Sequence, residues 1–199
     1  MIDVILAGGW LMLPILGCSV IAAAICIERY WSLREELVMP PELLALSVPQ
    51  LQHLLEDSAS REQLLLHSPL GAVLAVLGDS DYDEMESARE AALTTVGHDL
   101  ETYLTALGII ALITPLLGIL GTVVGMIDVF TSLVSASGET AALAGGISTA
   151  LITTAAGLSI AIPTLVAHRL LLRKVDTLLL ILDETSQRWR VRLSAERRG

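Results

Sequence analysis

Thr122, Thr149, Thr153 and Thr154 are hydroxyl residues set inside two long uncharged stretches, Leu104–Ile127 and Thr140–Ala167. A six-residue turn, Ser-Ala-Ser-Gly-Glu-Thr, separates the longer apolar runs Leu104–Val134 and Ala141–Ala167. If both runs are helices, Thr122 lies 13 residues before Ser135 and Thr154 lies 14 residues after Thr140. At 1.5 Å per residue both sit about 20 Å below the turn. Thr149 and Thr153 fall at a similar or slightly shallower level. Hydroxyls gathered at one level of a bilayer can line a polar path for an ion. The competing use of each hydroxyl is a bond back to the carbonyl one turn earlier. That use competes at every single threonine, and the set at one depth favours a path.

Asp128 is the one charge within the spans of this hairpin. An intramembrane carboxylate is costly, which makes it a functional candidate. It stands seven residues before Ser135, so about 10 Å from the outer end, where water reaches. Two readings stay open for it: a pathway or interface carboxylate, and a hydrated rim residue. No catalytic set accompanies these residues. His53, His67, His98 and His168 are scattered without metal-ligand spacing, and the glycines of Leu-Leu-Gly-Ile-Leu-Gly lie inside a span rather than in a phosphate loop. The expectation is a protein that is not an enzyme and holds no metal and no cofactor.

Small residues repeat around these hydroxyls. In the second stretch Ala111, Thr114, Gly118, Gly121, Gly125, Asp128 and Ser132 alternate at spacings of three and four, which puts them on one helix face. In the third, Ala142, Gly146, Ala150, Thr154, Gly157 and Ala161 do the same. Small residues let membrane helices approach closely, because lipid offers no hydrophobic drive for association. These seams are expected to be helix contacts. Pro115 and Pro163 each remove a helix hydrogen bond at comparable depth and are expected to bend the spans locally.

The elements that hold this hairpin follow from charge segregation. The chain has 199 residues, is 53% hydrophobic and carries a net charge of −10. Val4–Ile27, Leu104–Ile127 and Thr140–Ala167 contain no charge, and about 20 apolar residues cross a bilayer. The fold class expected is an all-α membrane protein. It has three transmembrane helices and long cytoplasmic helical extensions of the second and third spans. Every Lys and Arg falls after the first span, in the segment before the second, or after the third. The positive-inside rule then puts the N-terminus and the turn outside, with the segment and the tail in the cytoplasm. The first stretch reads as a retained helix rather than a cleaved leader, because it lacks a basic n-region and ends in Glu28-Arg29. Cys18 and Cys26 lie about 12 Å apart along it, too far for a disulfide. The acidic balance argues against a nucleic-acid role.

The resulting boundaries are 1–29 for an outer stub and first span, 30–103 for a cytoplasmic helical segment and 104–134 for the second span. The outer hinge is 135–140, the third span 141–168 and the C-terminal helix 169–199. Within 30–103, short helices are expected around breaks at Ser58-Ala59-Ser60 and His67-Ser68-Pro69. Their core is Leu54, Leu55, Leu64, Leu65, Leu66, Leu74 and Leu77. The near absence of Gly and Pro after Glu84 predicts one helix from about Asp83 through the second span to about Val134. The tail carries an apolar face of Leu171, Leu172, Val175, Leu178, Leu179 and Leu182, expected to pack beside the Glu84–Tyr103 helix. Its final basic run reads either as a contact with anionic membrane lipids or as a solvated end.

Several of these residues also carry a family resemblance. Pro115, Gly118-x-x-Gly121-Thr122-Val123, the Gly146-Ile147-Ser148 opening of the third span, Thr153-Thr154-Ala155-x-Gly157-Leu158 and Ala161-Ile162-Pro163 resemble the signature of the MotA/TolQ/ExbB proton channel family. The match covers about Leu104–Leu170 and is nearest to the ExbB branch, then TolQ. The resemblance implies a bacterial inner-membrane protein with a periplasmic N-terminus. It implies a homo-oligomer, a pentamer, around a dimer of a single-span partner like ExbD or TolR. A membrane Asp on that partner would carry the ion, H+, past Thr122 and Thr154, driving a TonB-like or TolA-like protein. One departure is visible: Thr149 stands where well-known members carry Glu. The function implied is the channel stator of a motor that energises TonB-dependent outer-membrane transport. The alternatives are a TolQ-like envelope motor subunit and a non-conducting membrane scaffold.

Overall fold

The computed structural model describes residues 9–56, 68–80, 84–135 and 140–196, and among them there is no strand. The helices are α1 Met12–Ser32, α2 Glu35–Val38, α3 Pro41–Leu44, α4 Val48–Glu56, α5 Pro69–Asp79, α6 Met85–Leu100, α7 Leu104–Ser135 and α8 Thr140–Glu196. Helices α1, α7 and α8 each contain a stretch long and apolar enough to cross a membrane. The described chain forms two compact units. One holds Met1–Glu28 with Tyr103–Leu170, and the other holds Arg29–Thr102 with Leu171–Gly199.

The first unit is built on α7 and the first part of α8, with α1 added. Gly9 has φ +71°, a left-handed conformation that glycine adopts without steric cost. The turn it makes lets the Met12 amide donate to the Gly9 carbonyl at 3.1 Å and start α1. Leu11, Met12, Ile15 and Ala22 form the buried face of this segment. Leu13, Val20, Ile21 and Ile27 stay exposed, as do Leu112, Leu116, Ile119 and Phe130 on α7. Only 28% of the apolar window of α7 is buried inside the chain, so most of its surface is left for lipid or other subunits. Both α7 and α8 run on without interruption through Pro115 and Pro163.

The second unit has an apolar core and an ionic cluster around the buried Arg89. Ser68 caps α5 by accepting from the Gly71 amide at 3.1 Å, and Pro69 at the first helical position suits the fixed φ of proline. Helix α5 packs on α6, and α4 packs on α5 where Leu55 meets Gly78. Leu74 and Leu77 are fully buried, Leu54 and Leu55 are half-buried, and the expected core members Leu64, Leu65 and Leu66 lie outside the described residues. The tail face is the inner face of α8: Leu171, Val175, Leu178 and Leu182 are buried, followed by Ser186, Trp189 and Leu193. It lies on α6, where the Leu179 methyls sit 3.4–3.5 Å from the position of a Cβ on Gly97. Arg29 is buried and donates to the Leu100 carbonyl at 3.4 Å, placing a cation at the negative end of α6.

The expected single helix from Asp83 to Val134 is not formed. Helix α6 ends at Leu100, and α7 begins at Leu104. Between them Tyr103 has φ 63°, the left-handed region that costs a side-chain-bearing residue roughly 1–2 kcal/mol. No Gly or Pro marks this corner, so the sequence gives no local signal for it. The extension of the third span is continuous with it, and that of the second is a separate helix.

Arg89 anchors the ionic cluster. Its guanidinium is buried, pairs with Asp183, donates to Glu86 at 2.6 Å and reaches the Ser186 hydroxyl at 3.4 Å. Arg190 stands 2.9 Å from the other Glu86 oxygen. The Arg89 hydrogen bond holds the Glu86 carboxyl below its ordinary 4.5; burial opposes it, the Arg89 and Arg190 charges add to it, and the Asp183 charge works against it. A carboxyl depressed in the fold contributes stability above its unfolded value and loses it as pH falls through the folded one. The second unit is therefore expected to lose stability in a window below about pH 4.5. Glu86→Gln is expected to flatten that part of the acid melt, followed by circular dichroism of the detergent-solubilised protein. An unchanged acid profile in the variant would contradict the assignment.

Candidate functional site

Helices α7 and α8 meet along the two small-residue seams in an antiparallel ladder. Gly125 faces Ala150 and Gly146, Gly121 faces Thr153, and Gly118 faces Thr154. Gly157 faces Thr114 and Gly118, and Gly108 faces His168. Thr114 and Ala150 are buried in the same contact, and Ala111 and Ala161 are buried as well. A Cβ on Gly118 would stand 3.0 Å from the Thr154 Cα, so the two backbones touch. That approach brings the Thr154 hydroxyl within reach of the other helix, and it donates to the Gly118 carbonyl at 2.8 Å.

The other hydroxyls turn to their own helices. Thr122 donates to the Ile119 carbonyl at 2.6 Å, Thr149 to Gly145 at 3.1 Å and Thr153 to Thr149 at 2.8 Å. Thr122 and Thr154 are expected from the sequence at one depth. They bind neighbouring carbonyls, Ile119 and Gly118, and so share one level, but the bond each makes is to backbone. Thr122, Thr149 and Thr154 are half-buried in the isolated chain. Thr153, expected among the path hydroxyls, is only 1% exposed and sits in the notch left by Gly121. The Thr149 methyl lies 3.8 Å from the position of a Cβ on Gly9.

Near the Ser135 end of α7 the seam takes a different residue from the one expected. Val129, not Asp128, is buried, with its methyl against Gly146. Asp128 is exposed on α7. A spacing of three or four leaves two neighbouring residues eligible for each rung, and packing chose the apolar one. The side chains of Ser132 and Ala142 lie outside the described residues. Among the described residues no group of His, Cys, Asp and Glu could hold a metal ion.

Two features escaped the sequence reading. His168 seats its ring over Gly108, with Nε2 2.9 Å from where a Cβ would be. The signal was present, since Gly157, Ala161, Thr164 and His168 continue the seam at spacings of four, three and four. The Arg89 cluster had no comparable signal, because Arg89 and Asp183 are 94 residues apart.

The model of the MotA/TolQ/ExbB proton channel family matches residues 55–184, which takes in every rung of this ladder. The chain belongs to that family. It is 30% identical over 189 residues to the biopolymer transport protein exbB1 of Vibrio cholerae, covering 89% of this chain and 81% of that protein. It is 34% identical over 179 residues to the putative biopolymer transport protein ExbB-like 3 of Synechocystis, covering 80% of this chain and 79% of the relative. A shorter match of 81 residues, 44% identical, links it to the biopolymer transport protein ExbB of Helicobacter pylori, over 40% of this chain and 56% of that one. With three apolar helices of spanning length, the chain is a multi-pass membrane protein of a channel family.

Proposed function

We propose that this chain is the channel-forming stator subunit of an ion-driven motor in the bacterial inner membrane. In this reading it oligomerises, as a pentamer, around a dimer of single-span partners like ExbD or TolR. H+ passes along Thr122, Thr154 and Thr149, and the work energises a TonB-like protein for outer-membrane transport. The N-terminus is periplasmic, the C-terminal helix is cytoplasmic, and Asp128 faces a neighbouring subunit or the path. No reaction is catalysed and no cofactor is used. The observation that carries the reading is the half-buried threonine level on a glycine-packed hairpin whose outward faces stay exposed. A simple anchor needs neither the hydroxyls nor the seams. One charge falling through 100 mV yields about 2.3 kcal/mol, enough for each ion to bias a step.

Thr154→Val and Thr122→Val test it. Valine keeps the shape of threonine, and a membrane hydrogen bond averages only about 0.6 kcal/mol, so the complex is expected to assemble in both variants. Energy-dependent uptake is expected to fall to background in cells carrying either one. Full uptake in both variants would sink the threonine path. Co-purification of a TolA-like rather than a TonB-like protein would move the assignment to an envelope motor.

A further inference from the structure

Helix α7 is longer than a bilayer needs. Its apolar stretch Leu104–Thr131 has 28 residues, about 42 Å at 1.5 Å each, against a hydrocarbon core of about 30 Å. Hiding the excess by tilt alone would take about 44°, outside the usual range of about 0–40°. Part of α7 must therefore stand outside the core, and the start of α1 marks which part. The Cβ position of Gly9 lies 3.8 Å from the Thr149 methyl, so α1 starts level with Thr149, nine residues along α8. The first amides of a helix have no partner one turn back, and lipid supplies none. Helix α1 therefore begins where water or headgroups reach its amides. Trp10, 68% exposed in that turn, is a residue type enriched at this boundary.

Counting about 20 residues from this level, the length of one span, gives a consistent opposite edge on all three helices. On α8 the count ends at Arg169, the first charge after the span, and on α1 it ends at Glu28-Arg29. On α7, where Gly125 faces Ala150, it ends at Thr105, next to the exposed Tyr103 and four residues from Glu101. A core that began at Ser135 and Thr140 would end near Pro115 and Ile160. Exposed Ile109, Leu112 and Ile113 on α7, and Ile162, Leu165 and Val166 on α8, would then stand in water. The exposed surface of α8 also changes at the same level. Before Thr149 it shows Ala144, Gly145 and Ser148 with Ile147 among them, and after it Leu151, Leu158 and Ile162.

We propose that the hydrocarbon boundary on this side lies at the Gly9–Thr149 contact, and that the Ser135 end of α7 and the Thr140 end of α8 stand beyond it among lipid headgroups and water. The proposal rests on the membrane-spanning reading and not on ion conduction. Asp128 is three residues past Gly125, about 4–5 Å, inside a headgroup layer about 5–7 Å deep. In this placement the cost of a carboxylate in lipid does not arise. Exposed Ile127 and Phe130 flank it in the same layer.

A depth scan along α7 tests the placement in the full complex reconstituted in phospholipid vesicles, with Cys18→Ala and Cys26→Ala removing the native thiols. Spin labels are attached one per protein at Leu112→Cys, Leu116→Cys, Leu120→Cys, Val123→Cys, Ile127→Cys and Phe130→Cys, all exposed positions. The ratio of collisions with oxygen to collisions with a water-soluble nickel chelate rises with depth. It is expected to peak at Leu112 or Leu116 and to fall to the headgroup value at Phe130. A peak at Leu120 or beyond overturns the proposal. Trp10 gives a second reading without a label. In a Trp31→Phe background, the emission that Trp10→Phe removes is that of Trp10. Lipids brominated near the headgroup are expected to quench it more than lipids brominated near the chain ends. The reverse order overturns the proposal even where a labelled variant fails to assemble. Neither measurement reads flux, so the placement stands or falls separately from the channel reading.

Discussion

Gly157→Leu is expected to part the two central spans and to leave no stable hairpin. A Cβ at this position would stand 2.8 Å from the Thr114 carbonyl oxygen, 3.3 Å from the Gly118 Cα and 3.4 Å from the Gly118 nitrogen. All three are backbone atoms of the opposing helix, so no rotamer change relieves the clash. Gly157→Ala alone should cost roughly 1–3 kcal/mol, the range for overpacking a tight contact. Leucine adds a branched side chain where even one carbon does not fit. Separation also lengthens the Thr154–Gly118 hydrogen bond, which needs the same close approach. Gly145→Ala is the matched control, because nothing lies within 4 Å of its Cβ position. It should stay within about 0.5 kcal/mol of the parent. Thermal unfolding in detergent, followed by fluorescence-detected size exclusion, separates these outcomes. A Gly157→Leu protein that melts with the parent would show that the seam is not where the helices touch.

The second large effect belongs to Arg89→Ala. Arg89 is buried, while Glu86 and Asp183 are 42% and 52% exposed at their side chains. Removing one partner of a fully buried pair costs 3–5 kcal/mol through the stranded charge. Here water reaches both carboxylates, which lowers the expected cost to roughly 1–3 kcal/mol. The sum includes the packing of the Arg89 stem between α6 and α8. Arg89→Glu should do far more, since it sets three carboxylates together with Arg190 alone to balance them. Its second unit is expected not to fold, seen as rapid proteolysis of α6 and the C-terminal part of α8 in membranes. Arg89→Met keeps the apolar stem and should fall between parent and alanine. Equal stability of the alanine and methionine variants would assign the whole effect to charge.

What could be read in advance was set by composition and period. Three uncharged stretches of bilayer length define three spans, because a charge inside lipid is expensive wherever the rest of the chain lies. The 3.6-residue repeat fixes which face of each span carries Gly118, Gly121, Gly125, Gly146, Ala150, Gly157 and Ala161, and the Cβ positions of Gly118, Gly121, Gly125, Gly146 and Gly157 lie against the opposing helix. The repeat fixes a face but not a rung. Whether Asp128 or Val129 meets Gly146, and whether Thr153 or Thr154 fills the notch at Gly121, depends on helix register, which is a property of the pair. The corner at Tyr103 is of the same kind. Its left-handed backbone has no Gly or Pro to announce it. The cluster at Arg89 joins residues 94 apart in sequence, beyond any periodic signal. The threonines show the division most clearly. Sequence alone determined that Thr122 and Thr154 carry hydroxyls at one depth. Only the tertiary structure decided where their hydrogens go, because a hydroxyl donates to whichever carbonyl the fold brings within about 3 Å.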